Sequence, residues 1–182
     1  MTKLSPREAI DLLDWKRLVF DLYREIRATD NPTAAWHRWR TVRDELFWHH
    51  PASPLPPETR RAFRGVPYFD YDPACRVLAE LVEAPFEPLE IQTSTGDAYD
   101  FSRFGRIAFE LRGTRYELDV YWLATYGGGV FLPFTDATTG RETYRGGRYL
   151  LDTVKGADFG RDGEGRPAGA FVESIADRDP SG

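Results

Sequence analysis

Apolar residues in the first fifty positions recur at intervals of three and four. Leu12, Trp15, Val19, Leu22 and Ile26 draw one stripe, and Ala35, Trp39, Val42 and Leu46 draw a second. This spacing predicts two amphipathic helices. Each has its own start signal. Ser5-Pro6-Arg7-Glu8 supplies a capping serine, a proline that needs no donor and a glutamate that completes a capping box; Asn31-Pro32 repeats the device. A short turn over Thr29–Asn31 joins the two stripes, so an αα-hairpin is expected.

Pro51, Pro54, Pro56 and Pro57 end that pattern. Glu58 to Arg64 has room for about two helical turns, with Gly65 placed to cap them. Val66 to Pro73 reads as an extended aromatic connector, because residues before proline avoid the α region. Beyond it the period falls to two. Cys75 to Glu83 reads as a strand, although the adjacent pairs Val77-Leu78 and Leu81-Val82 also suit a short helix. From Leu89 alternation is clear: Ile107, Phe109 and Leu111 share one face, as do Tyr116, Leu118, Val120 and Trp122. A two-residue turn at Gly113-Thr114 sets Leu111 opposite Tyr116, Phe109 opposite Leu118 and Ile107 opposite Val120. A three-residue loop at Thr95-Gly96-Asp97 sets Ile91 opposite Phe101. Gly127–Pro133 and Arg148–Leu151 add two strands around a polar excursion.

The expected fold class is therefore α+β, an N-terminal helical hairpin packed on an antiparallel β-barrel or β-sandwich meander. Residues 1–50 form the helical part, 51–74 the proline and aromatic connector, 75–160 the β domain, and 161–182 a loose tail rich in Gly, Pro and charge.

The net charge of −5 argues against nucleic acid as a partner. Cys75 is the lone cysteine, which leaves no internal disulfide and no cysteine zinc site. No apolar run approaches the ~18 residues of a membrane span, and the start of the chain has no apolar signal core. A cytoplasmic protein without a membrane partner is expected. His49 and His50 are adjacent and cannot form a ligating i, i+4 pair, so with His37 they predict no metal, and nothing calls for a cofactor. There is no G-x-S-x-G elbow. Tyr126-Gly127-Gly128-Gly129 lacks phosphate-loop spacing and is followed by no helix; it predicts a close backbone approach or a bulge.

Candidate chemistry gathers in the excursion. Asp136, Glu142, Tyr144, Arg148, Tyr149 and Asp152, with Tyr71 from the connector, could line a pocket. There Arg148 would bind an anionic group bidentately, Tyr144 would donate, and Glu142 or Asp136 would serve as acid or base. The structural alternative has Asp136 cap a turn into Ala137-Thr138-Thr139-Gly140 and Arg148 pair with Asp152 or Glu142. Two functions follow: a small-molecule-binding β domain, catalytic or not, with its pocket near 134–152, or a non-catalytic protein-interaction module using the helical hairpin.

Several stretches carry a resemblance. HPASPL (50–55), YFDYDP (68–73), STGDAYDFSRFGRIAFEL (94–111), DVYWL (119–123), GGGVFLPFTDATTGRETYRGGRYLLD (127–152) and KGAD (155–158) make roughly residues 36–160 similar to the uncharacterised bacterial and archaeal family DUF1684. The resemblance implies a fold and a surface to inspect, and no activity. Members of that family usually continue into an aromatic strand and a segment rich in Asn, Cys, Tyr and Pro. Residues 166–182 carry neither, so the resemblance implies that any site completed there is altered in this chain.

Overall fold

The computed structural model describes residues 4–92, 98–125, 127–152 and 171–173, with the side chains of Leu78, Gln92 and 171–173 left aside. The chain divides into two compact units, Met1–Tyr71 and Asp72–Gly182. The first is helical; the second holds the sheet. The coarse expectation of an α+β fold holds.

In the first unit, helices α1 (Pro6–Arg27) and α2 (Pro32–His49) start where their signals place them. The Ser5 hydroxyl accepts from the Glu8 amide at 3.2 Å while the Glu8 carboxylate accepts from the Ser5 amide at 2.7 Å. Asn31 caps α2 through the Ala34 amide. The hairpin is tied at both ends. Arg38 donates to both oxygens of Glu25 at 2.8 and 3.2 Å. At the far end the buried His50 ring accepts from the Ala52 amide at Nδ1, which places its proton on Nε2, 3.2 Å from Asp14. A short helix α3 (Pro57–Ala62) follows. Gly65, expected to cap it, instead lies against Asp44 with φ +114°, and the Asp44 carboxylate takes the Val66 amide. The connector is pinned by its rings, Tyr68 on Trp39 at 5.1 Å and Phe63 near Phe47 at 6.3 Å.

The second unit starts with strand β1 (Arg76–Leu78), then β2 (Glu80–Gln92), β3 (Ala98–Leu111), β4 (Thr114–Leu123), β5 (Val130–Phe134), β6 (Arg148–Leu151) and β7 (Phe171–Glu173). Strands β2 to β6 form one antiparallel sheet in chain order, and β1 pairs with β7. The edges β2 and β6 are not paired with each other among the described residues, so the sheet is open; the closed-barrel form of the expectation is not met. β2 continues past Pro85 and Pro88, with an irregularity in its pairing to β3 between Glu83 and Glu87, and so joins the end of the expected Cys75–Glu83 strand to the alternation from Leu89. An edge strand can spare those donors.

Two registers differ from expectation. The β3–β4 turn is Arg112-Gly113, with Leu111 opposite Thr114, Phe109 opposite Tyr116 and Ile107 opposite Leu118. Both turn residues have positive φ, 50° and 76°, as a type I′ turn requires. The Arg112 side chain donates to Asp72, 2.6 Å away. The shift is even, so the apolar faces still match. At the other end Ile91 faces Tyr99 and Leu89 faces Phe101; the turn residues 93–97 lie outside the described residues.

The sheet buries apolar side chains on both faces. One face gathers Ile107, Val120 and Leu132 (0–1% exposed) with Ala79, and Val77 of β1 packs against it. The other gathers Phe101, Leu123 and Phe131. Neighbours in sequence divide between them, Phe131 from Leu132 and Leu150 from Leu151. Leu89 from one edge strand and Leu151 from the other both reach the second cluster, so the sheet curls around it.

The glycine run after β4 brings Gly128 under the Trp122 indole, where an added Cβ would sit 2.4 Å from Cζ2, at φ +55°. Gly113 has similar torsions but open space around it. Gly113→Ala should therefore cost about 1 kcal/mol of unfolding free energy, the left-handed backbone term alone. Gly128→Ala should cost roughly 1–3 kcal/mol more, because the indole must move. Urea titrations of the two variants decide it; equal losses would contradict the packing described.

Candidate functional site

Residues 134–148 connect β5 to β6 and are organised by one carboxylate. Asp136 Oδ1 accepts from the Thr138 amide at 2.8 Å and the Thr138 hydroxyl at 2.6 Å, forming an Asx-turn. The Thr138 carbonyl then accepts from the amides of Arg141, Glu142 and Thr143. Thr143, 2% exposed, closes the loop from inside with its hydroxyl 3.1 Å from that of Thr138. Gly140 and Gly147 supply the positive φ that ordinary residues avoid.

Arg148 is the first residue of β6 and faces Phe134 across the ladder. Its guanidinium lies over the Phe134 ring, 4.9 Å from the centroid, and its Nη2 donates to Asp136 Oδ2. The side chain is only 11% exposed. Nε is buried with no hydrogen-bond partner. Burial by itself would raise the Asp136 carboxyl pKa, but the Thr138 donors and the Arg148 charge outweigh it and hold the group below the ordinary range.

The other predicted residues do not join this pair. Tyr149 follows Arg148 along a strand, so it points to the opposite face, where its ring lies 5.3 Å from Phe131. Tyr144 is 58% exposed and lies along Gly146. Glu142 is exposed. Asp152 joins the sheet through its amide, which donates to the Val130 carbonyl. Tyr71 belongs to the first unit, 6.5 Å from Trp36. Of the seven, the structure brings together two. Thr138, named in the sequence only within the expected turn, completes that pair together with Thr143 and Phe134, which were not singled out.

A second buried arginine makes the contrast. In β3, the register slips by one residue between Arg103 and Gly105, which turns Arg103 and Arg106 to the same carboxylate. Arg103 Nη1 and Arg106 Nε donate to the two oxygens of Asp119 at 3.0 and 2.8 Å. Arg103 also donates to the Pro85 carbonyl at 3.1 Å and pairs with Glu87 at 2.7 Å. At 14% exposure Arg103 is as desolvated as Arg148, yet each of its nitrogens has an acceptor. Desolvation pushes the Asp119 carboxyl up, and the two arginines more than reverse it. Asp119 in turn adds to the burial that raises the Tyr121 phenol. Every nitrogen of Arg103 has an acceptor, whereas Nε of Arg148, like that of Arg60, has none.

The depressed Asp136 pKa has a stability consequence with a definite sign. Its folded value lies below the unfolded one, so its contribution is present above the unfolded pKa of ~3.9 and is lost as pH falls through the folded value. Asp136→Asn should flatten the fall in melting temperature of the wild type between neutral and acid pH. An unchanged acid limb would show that the pair carries no differential charge.

The model of the family described as "Protein of unknown function (DUF1684)" matches residues 61–165, a span that holds the described Asp136–Arg148 pair. The chain is also similar to an uncharacterized protein of Haloarcula marismortui whose solution NMR structure is known. They share 28% identity with a TM-score of 0.54, covering 84% of this chain and 82% of the other. No curated protein matches.

Proposed function

The chain belongs to the DUF1684 family, whose function is unknown, and we propose that its β unit binds a small anionic molecule at Arg148. One observation carries this reading. A guanidinium removed from water, with Nε unbonded and a single carboxylate on Nη2, lacks acceptors that Arg103 has in full. A buried unpaired donor costs about 1–3 kcal/mol, and an anion that completes the arginine's bonding removes part of that cost. Phe134 fixes the plane of the fork and Asp136 fixes its orientation. A carboxylate or phosphate matches that fork bidentately.

Asp136 has two roles in this reading. It neutralises Arg148 while the site is empty, and it remains ionised because its pKa is depressed. An ionised Asp136 beside the ligand favours anions that carry a hydroxyl or amine as well, since those can donate to the carboxylate. Residence in the cytosol, where small phosphorylated and carboxylated metabolites are abundant, agrees with the lone Cys75. Among the described residues no helix is long and apolar enough to cross a membrane.

Thermal melts with inorganic phosphate, a sugar phosphate and a hydroxy-dicarboxylate test the proposal. At a ligand concentration about a hundredfold above Kd, stabilisation is about 2.7 kcal/mol, or roughly 5–10 °C for a chain of this size. The wild type should respond to at least one anion and Arg148→Met should not. Arg148→Lys, which keeps the charge and loses the fork, should bind at least ~tenfold more weakly. The same shift in wild type and Arg148→Met, or no shift with any anion, sinks the reading.

A further inference from the structure

The hairpin of the first unit has two flanks, and the chain covers one of them itself. There Tyr68 packs on Trp39, Phe63 approaches Phe47, and the Val66 amide is bound by Asp44. The opposite flank holds an open groove of about 460 Å³ between α1 and α2. Its floor is apolar, with Leu18 and Leu22 from α1 and Val42 and Leu46 from α2. Its rim carries Asp21, Glu25 and Glu45 against Arg38, with Asp21 bound to Arg24 and Glu25 to Arg38.

The complement of this groove lies on the same chain. Along α1, Ile10, Leu13, Arg17, Phe20 and Arg24 follow at steps of three, four, three and four. That is the heptad spacing of a helix seam. Its apolar members do not pack inward: Ile10, Leu13 and Phe20 are 60%, 41% and 38% exposed. Its other two members are cationic. By helical geometry this seam borders the groove at Asp21, which Arg24 of the seam already contacts, and faces away from the buried Leu22.

We propose that the groove receives the α1 seam of a second copy of this chain. The arrangement is reciprocal, since each copy carries one groove and one seam next to each other, and a two-fold axis satisfies both at once. Two hairpins then make a four-helix bundle, with Ile10, Leu13 and Phe20 entering between Leu18, Leu22, Val42 and Leu46. Arg17 and Arg24 meet the acidic rim of the other copy. Arg24 gives up an exposed pairing with Asp21 to do so, and exposed pairs of this kind contribute little. The charge pattern makes a second copy the fitting occupant: an acidic-rimmed apolar groove accepts a cationic apolar helix, and α1 is one.

Sedimentation velocity on the full chain over micromolar concentrations tests this. Wild type should show a concentration-dependent monomer–dimer equilibrium that weakens with added salt. Leu18→Glu and Phe20→Glu change exposed side chains, so far-UV circular dichroism should be unchanged while the dimer dissociation constant rises ~tenfold or more. Arg24→Glu should also weaken the dimer, and Arg24→Glu combined with Glu45→Arg should restore it. A wild type that stays monomeric overturns the proposal. So does a dimer that survives both glutamate variants. Should either of those variants lose helicity, the charge pair decides: loss in the single variant and recovery in the double supports the interface, and any other outcome overturns it.

Discussion

A β-strand sends consecutive side chains to opposite faces, and the second unit of this protein depends on that constraint more than on any single bond. Its sheet has apolar clusters on both faces, so adjacent residues such as Phe131 and Leu132 are both buried. The one-residue slip in β3 at Arg103–Gly105 reconciles the two clusters. Before the slip Phe101 serves one face; after it Ile107 serves the other. The same slip aims two arginines at Asp119, so the ionic network is a by-product of how the core is shared.

That constraint also sorts the candidate chemistry. Arg148 and Tyr149 are neighbours in sequence and look like partners, but the sheet sends them apart. Arg148 goes to Phe134 and Asp136, and Tyr149 goes to Phe131. What remains is smaller than a pocket lined by seven residues and better defined. A loop held by Asp136, Thr138 and Thr143 presents one desolvated arginine whose bonding is incomplete. Arg103 shows that this chain can saturate a buried arginine where the role is structural.

The helices were legible because their signals are local. Capping serine, proline and glutamate, and apolar steps of three and four, need no knowledge of the rest of the chain, and α1 and α2 begin where those signals place them. The strands were legible as alternation, but their limits were not. β2 hides behind Pro85 and Pro88, tolerated because an edge strand can spare those donors. The β3–β4 turn was displaced by one residue because a type I′ turn over Arg112-Gly113 puts the arginine in a left-handed conformation that its residue type does not advertise. The site was legible in its core pair. Asp136 and Arg148 were named, along with the Asp136 turn, but the partners expected for Arg148 were Asp152 or Glu142, and the bridge to Asp136 follows from the fold of the loop. Phe134 was missed because its place beneath Arg148 follows from the β5–β6 register. Thr143 looked like one more polar loop residue, since nothing local marks a threonine as buried.

The anion site proposed here rests on an Arg148 that is desolvated and has no acceptor at Nε. NMR observation of the Arg148 side-chain Nε–H tests this most directly. A resolved resonance is expected that exchanges slowly with water in the free protein and shifts on addition of a binding anion, while the Arg103 resonance stays in place. A resonance that exchanges as fast as those of exposed arginines, or that ignores every anion tried, would contradict it.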